Sequence, residues 1–333
     1  MIFAKFSFSQ SIQFSQFYSA PLVLAPSFTG SVEQSRIIAN FRDQWPGIPG
    51  TYTTFSASYD QYFPKIKSGM GLLALKDQAG SGDLGLLEVG FLYSWEGTIT
   101  KQNGGWYFKP GIEFKMVQRS IDFHKLIFGD QITSDGTPSG TTIEVPPAPN
   151  KSYLDAATSI IVYNSKYFWG GISFDHLFRP NESLYDEEDT RVSLRTSVFA
   201  GYKMTVGQAQ KRRQYDADQE SVTFTAHYRY QRPYDQLDFG AYWDHDPFTL
   251  GIWLRGLPIT SRYLYEKKLE NMDAVVFLVG YKIFDLRIGY SYDLTISKLL
   301  GNTGGAHEIS LIYEFNANLK TKNKHATIPC PKF

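Results

Sequence analysis

From 285 to 297 this chain alternates between apolar and polar side chains almost without a break. The even positions are Leu286, Ile288, Tyr290, Tyr292, Leu294 and Ile296, and the odd ones Asp285, Arg287, Gly289, Ser291, Asp293, Thr295 and Ser297. Successive side chains of an extended strand point to opposite faces, so a period of two makes one greasy face and one wet face. Length is the tighter constraint. Globular strands usually run to about five or six residues, whereas a tilted strand that crosses a bilayer needs roughly 9–11.

The pattern recurs. Val192, Leu194, Val198, Ala200, Tyr202, Met204 and Val206 alternate with Arg191, Ser193, Arg195, Ser197, Lys203 and Thr205. Val222, Phe224, Ala226, Tyr228 and Tyr230 alternate with Ser221, Thr223, Thr225, His227 and Arg229, and 106–116 repeats the theme with Lys109, Glu113 and Lys115 on its wet face. Several long alternating strands in one chain predict a transmembrane β-barrel rather than a soluble sandwich, whose strands are shorter and whose polar face meets open water. The longest apolar runs fall far short of a membrane-crossing helix. A slightly negative mean hydropathy agrees with a barrel, in which only every second residue meets lipid. An aromatic fraction of 16%, with 22 Tyr and 25 Phe, suits the girdles that barrels carry at both membrane interfaces.

Fourteen antiparallel strands are expected, near 35–42, 51–62, 68–77, 84–99, 104–120, 153–163, 166–177, 191–206, 221–232, 234–244, 247–257, 272–282, 284–297 and 305–317. The even number fits a closed single-chain barrel. Long connections (121–152, 178–190, 258–271) fall at one end and short ones at the other, as in barrels with short periplasmic turns and long outer loops. The connection at 207–220 breaks that rule. It carries Lys211, Arg212 and Arg213, candidates for contact with a periplasmic partner.

Four segments follow: a remnant of a signal-like stretch at 1–9, a plug or rim segment at 10–30, the barrel at 31–317, and a mobile basic periplasmic tail at 318–333. Segment 10–30 is apolar at Phe14, Phe17, Tyr18, Leu22 and Phe28 but broken by Pro21 and Pro26. It and the long loop after 121 are expected to plug the lumen. Both termini are expected in the periplasm. Cys330 is expected as a free thiol on the tail.

A series of motifs runs in order along the chain: Phe14-Ser15-Gln16-Phe17-Tyr18, Pro21-Leu22, Pro26-Ser27-Phe28-Thr29-Gly30, Phe41-Arg42-Asp43-Gln44-Trp45-Pro46, Tyr52 through Tyr59-Asp60, and Gly69-Met70-Gly71 with Asp77 and Gly80. Further along come Phe128-Gly129-Asp130-Gln131-Ile132, Trp169-Gly170-Gly171-Ile172-Ser173, His176-Leu177 and Pro180-Asn181-Glu182-Ser183. The last are Tyr292-Asp293-Leu294-Thr295-Ile296-Ser297 and Gly305-Ala306-His307-Glu308-Ile309-Ser310-Leu311. Together they resemble the PorP/SprF family of Bacteroidetes outer-membrane proteins, which serve type IX secretion and gliding motility. The resemblance implies an outer-membrane barrel without catalysis. Its partners would be a large secreted adhesin or other cargo of the type IX system, or the periplasmic ring of PorK and PorN.

Charge is balanced at 33 basic against 33 acidic residues, so no global field points to nucleic acid. No phosphate loop, nucleophile elbow or zinc spacing appears, so no cofactor, metal or enzyme activity is expected. Tyr185-Asp186-Glu187-Glu188-Asp189 lacks the ligand spacing of a calcium loop and reads as a solvated acidic loop. Asp244-His245-Asp246 reads as a turn before Pro247. The neighbours Asp175 and His176, like His307 and Glu308, should face opposite sides of a strand and form no cluster. Candidate lumen residues are Arg195, Lys203, Arg229, Asp285, Arg287 and Asp293. Candidate plug or partner-binding residues are Phe14, Phe17, Tyr18, Phe28, Phe128 and Asp130. A diffusion porin shares every strand-level feature, and a soluble carbohydrate-binding sandwich or propeller shares the aromatic content.

Overall fold

The computed structural model describes residues 12–132, 140, 142–143, 148–184, 190–206, 220–257, 263–264, 267–268, 274–296, 303–315 and 327–331. Fourteen antiparallel strands form one closed barrel. They are β1 (Ser35–Gln44), β2 (Thr51–Phe63), β3 (Ser68–Gly80), β4 (Leu84–Trp95, resumed at Gly97–Thr100), β5 (Trp106–Ser120), β6 (Asn150–Asn164) and β7 (Phe168–Asp175). The second half comprises β8 (Arg195–Thr205), β9 (Ser221–Gln231), β10 (Tyr234–His245), β11 (Phe248–Leu257), β12 (Ala274–Ile283), β13 (Leu286–Thr295) and β14 (Ala306–Phe315). Each strand pairs with its sequence neighbour, and β1 pairs with β14 from Ser35↔Phe315 to Gln44↔Ala306, which leaves the sheet no free edge.

Strand bounds differ from the sequence reading by a few residues at most places. The largest shift is at β8, which starts at Arg195 rather than 191 because Arg191 bridges back to Asn181 in the preceding connection. The break in β4 at Glu96 leaves its register with β5 unchanged, from Ser94↔Gly111 to Gly97↔Phe108, and the one-residue slip falls further on, between Thr98 and Thr100. Ser94 and Glu96 are buried on either side of exposed Trp95 by ordinary alternation, and Glu96 accepts hydrogen bonds from Tyr62 (3.3 Å) and Tyr163 (2.7 Å) within the lumen.

The two faces follow the period of two. Along β13, Tyr290 and Leu294 are exposed while Gly289, Ser291, Asp293 and Thr295 are buried. Phe55, Leu72, Phe91, Phe114, Val198, Ile252, Phe277 and Leu311 continue the apolar outer belt around the barrel. Where strands meet the short turns, outward aromatics pair across strands: Trp95 with Phe108, Trp106 with Phe168, Tyr167 with Tyr202 and Phe248 with Tyr281. Rings in such a girdle suit the headgroup level of a bilayer, with one side apolar and the other wet.

Odd-numbered strands end at one rim of the barrel, where the connections after Ser120, Asp175 and Leu257 begin, and the turns 64–67, 165–167, 246–247 and 284–285 lie at the other. The atypically long connection at the short-turn end, with Lys211, Arg212 and Arg213, falls outside the described residues, as does the acidic run at 185–189.

Candidate functional site: a filled lumen and its mouth

The interior is packed with residues 12–32 and with Ile328 from further along the chain. Residues 12–32 run inside the barrel as three short helical turns, Phe17–Ser19, Pro21–Leu24 and Pro26–Phe28. Prolines at the first position of two of these turns stop them from merging into one helix, since proline supplies no N–H to the preceding turn. Phe14, Phe17, Tyr18, Leu22 and Phe28 are all buried, and Phe28 is 0% exposed. They pack against large inward side chains of the wall. Phe17 meets Trp253 edge-on at 5.1 Å, Tyr18 meets Trp169 at 5.7 Å, and Phe28 lies 5.5 Å from Phe199. Trp169 Nε1 donates to the Tyr18 hydroxyl at 3.2 Å. Ile328, near the C-terminus, joins the same core with Cys330 packed against it.

That last contact corrects the expectation of a mobile tail for 327–331. The basic character of 318–333 gives no local signal for this contact, yet Ile328, Pro329 and Pro331 are buried. The long loop also differs from expectation. Its described residues stay at the rim, with Ile143 87% exposed, because the plug segment already fills the space below. Phe128 is half-buried there and donates its N–H to Gln131 Oε1 at 2.9 Å. Exposed Asp130 accepts from the Ile143 N–H at 2.6 Å and the Thr142 hydroxyl at 2.9 Å, and these donors hold its carboxyl below the usual range.

Polar clamps fix the plug at both ends. Near the short turns, Asp60 accepts the Gly30 N–H at 2.7 Å and forks onto Arg36 at 2.9 and 3.0 Å. Lys109 Nζ donates to the Gly30 carbonyl at 2.8 Å, and Ser94 donates to that of Thr29 at 2.7 Å. The backbones almost touch here. A Cβ on Gly69 would lie 2.2 Å from the Thr29 carbonyl oxygen, and one on Gly30 (φ +61°) would lie 2.7 Å from the Gly69 Cα. At the long-connection end, Glu308 accepts two consecutive backbone N–H groups, Ser15 at 2.7 Å and Gln16 at 3.0 Å. Arg42 bridges Glu308 (3.2 Å) and Asp293 (2.9 Å), and Arg255 reaches Asp293 at 2.7 Å. The Ser15 hydroxyl sits between both arginines and Asp293.

The plug therefore descends from Ser15, beside the long connections, to Gly30, beside the short turns, before entering β1. Ile12 lines the mouth at the long-connection end. Expected periplasmic ends at 1–11 and 332–333 lie outside the described residues, but the first described residue is at the end opposite the start of β1.

Of the lumen candidates, Asp293 is buried in the upper clamp. Arg287 pairs with Glu314 at 3.1 Å, Arg229 bonds the plug residue Gln13, and Arg195 pairs with Asp175. Half-buried Lys203 lies near the end of β8. Asp285 is the exception: it sits exposed in the turn between β12 and β13, because the strand starts one residue later than its alternation does. Periodicity missed Phe199, Trp169, Tyr242 and Trp253, which are buried on the inner face. The available signal was an aromatic in phase with the wet face, as Phe199 is between Ser197 and Gly201.

Above the plug lies a charged mouth. Lys115 pairs with Glu88 (3.3 Å) and Asp175 (2.9 Å), and Arg119 with Glu182 (3.3 Å). His176 corrects the expectation that it faces away from its neighbour. It has left the strand at φ +60°, so its ring folds back to Asp155 (Nδ1 2.7 Å) and lies 4.0 Å from Asp175. Asp155, Asp175 and His176 thus form a compact triad. Asp175 already serves Lys115 and Arg195, so a metal ion there would face two cations. His307 and Glu308 do face opposite ways: Glu308 is in the clamp and His307 meets the Tyr290 hydroxyl outside at 2.8 Å.

The sequence profile of the type IX secretion system membrane protein PorP/SprF matches residues 6–313. The chain belongs to the PorP/SprF family. It is thus an outer-membrane barrel of the type IX secretion system. The family motifs acquire physical roles in this light: Pro26–Gly30 and Gly69–Gly71 are the two sides of the close approach, and Asp60, Asp293 and Glu308 are the clamps. No curated protein matches the chain. Among solved structures, the toluene transporter TodX of Pseudomonas putida is 10% identical with a TM-score of 0.48, covering 90% of this chain and 95% of its own. Omp33 of Acinetobacter baumannii is 8% identical with a TM-score of 0.41, covering 86% and 100%. BamA of Haemophilus ducreyi is 7% identical at 0.35, covering 85% and 71%. At these identities and scores nothing about function passes from them to this chain.

Proposed function

We propose that this family member is a closed anchor in the outer membrane. It holds a large secreted surface adhesin, or ties the membrane to the periplasmic ring of PorK and PorN, without catalysis and without conducting solutes. The observation that carries this reading is the filled lumen. A diffusion channel needs a continuous wet path, whereas here Phe17, Tyr18, Phe28 and Ile328 form a dry layer with Trp169 and Trp253 across the barrel. A 14-strand barrel is wide enough for water unless something occupies it, and two clamps plus a hydrophobic layer are a large investment for a removable gate.

The long connections face the cell exterior in this reading, as is usual for outer-membrane barrels. The mouth and rim loops, including Phe128 and Asp130, then meet the exported partner. The connection bearing Lys211, Arg212 and Arg213 faces the periplasm and its ring. Purification of the tagged full chain from native outer membranes in mild detergent tests the proposal. A giant adhesin or the ring lipoproteins should come with it, and planar bilayers should stay closed. A chain that purifies alone and gives a large, steady open state refutes the anchor and leaves a porin.

A further inference from the structure

Above the plug, lined by strands from β3 to β9, the mouth holds a half-open cavity of about 120 Å³. That is on the scale of cavities, about 150 Å³, that admit a benzene-sized guest. Its wall is divided. Ile12, Leu75 and Leu86 line it as apolar surface, while Asp77, Glu88 and Glu113 line it as acid. The cations around it are already engaged: Lys115 with Glu88 and Asp175, Arg195 with Asp175, and Arg119 with Glu182. Asp77 accepts only a neutral partner among its hydrogen bonds here, the Thr54 hydroxyl at 2.6 Å. Glu113, 4% exposed, has an oxygen, Oε1, that is buried with no hydrogen-bond donor. Carboxylates therefore outnumber cations in this half-open cavity, and a buried acceptor without a donor is costly.

We propose that this cavity receives one basic side chain, a lysine, from a polypeptide that docks at the long-connection end. A lysine needs two environments at once, apolar surface for its methylene stem and acceptors for its ammonium group. The cavity supplies both, with the stem along Ile12, Leu75 and Leu86 and the ammonium beside Glu113. A divalent metal fits less well, because the adjacent Asp155, Asp175 and His176 triad stands beside Lys115 and Arg195. The proposal rests on the reading that this end faces a protein partner, and it names the chemistry that partner must present.

The test uses the full chain in detergent and an acetylated, amidated pentapeptide, Gly-Ser-Lys-Ser-Gly, followed by saturation-transfer NMR. Transfer to the lysine methylenes is expected, and the peptides with norleucine or glutamine in place of lysine should bind at least about tenfold more weakly, as loss of a charge-assisted contact implies. Glu113→Gln should weaken the lysine peptide to the same degree, and Asp77→Asn less. Exposed Glu33→Gln should change nothing. Heat-modifiable gel mobility establishes that each variant is folded, and Asp77→Asn decides the matter if Glu113→Gln does not fold. Equal binding of the lysine and norleucine peptides overturns the proposal. So do unchanged binding by the folded acidic-site variants, and calcium chloride alone displacing the lysine peptide from the cavity. Capture of a partner from native membranes reads the anchor function separately, so loss of either result leaves the other standing.

Discussion

Replacing Asp60 by asparagine keeps the shape of the lower clamp and removes its charge. Asp60 is 0% exposed and holds Arg36 at 2.9 and 3.0 Å and the Gly30 N–H at 2.7 Å. At a charge separation of about 4 Å the attraction is about 4 kcal/mol where the effective dielectric is about 20, but only about 1 kcal/mol in water. Breaking a buried pair from one side also strands the other ion, and the usual loss is about 3–5 kcal/mol. That corresponds to roughly 200- to 5,000-fold in the ratio of folded to unfolded chain. An internal control is available in the exposed pair Lys282–Asp246, at 3.4 Å and more than a third open on both sides, where Lys282→Met should lose no more than about 1 kcal/mol. Urea unfolding in detergent, followed by tryptophan fluorescence, reads both as midpoint shifts at constant slope. The double variant Arg36→Met with Asp60→Leu should recover most of the loss, since an apolar pair removes the stranded ion along with its partner. A loss for Asp60→Asn no larger than that of Lys282→Met would refute the reasoning, because it would mean that the clamp sits in water and the lumen is wet.

Three further outcomes are expected. Gly69→Val should push the plug off β3, since even its Cβ would meet the Thr29 carbonyl at 2.2 Å, and planar bilayers should then show steady conductance that the wild type lacks. Tyr18→Phe should lower stability by about 1–3 kcal/mol in the same urea assay, because the buried Trp169 N–H loses its acceptor. Asp130 has a carboxyl pKa held low by the Ile143 N–H, so its contribution to loop order is complete above the unfolded value near 4 and is lost as pH falls through the lower folded value. The protection factor of the Ile143 amide should hold at pH 5–7 and fall below about pH 4, and Asp130→Asn should abolish that dependence.

Much of the wall was legible without coordinates because strand alternation is local. Each inward or outward assignment depends only on the parity of neighbouring residues, so Arg195, Arg229, Arg287 and Asp293 could be placed on the inner face, and Lys203 on the same parity, from the pattern alone. The failures are informative for the same reason. Asp285 kept the parity of β13 but lies in its turn, since parity continues in a sequence after pairing has stopped. His176 defeated the opposite-faces rule by adopting a positive φ, which a count of residues does not register. Phe199 and Trp253 belong to the inner face by parity, but only the plug lying against them explains why that face should be aromatic.

The sequence by itself determined the period, the strand number, the two faces and the candidate plug, since each follows from local spacing and from the inability of a proline-broken apolar segment to remain in water. Only the tertiary structure decided what meets inside. The joining of Ser15 to Glu308, of Gly30 to Gly69, and of Ile328 to the core of Phe17 and Phe28 links residues far apart in the chain. No local pattern encodes such contacts. They exist because closing the sheet brings β1 against β14 and leaves one confined volume, which residues 12–32 and Ile328 fill together.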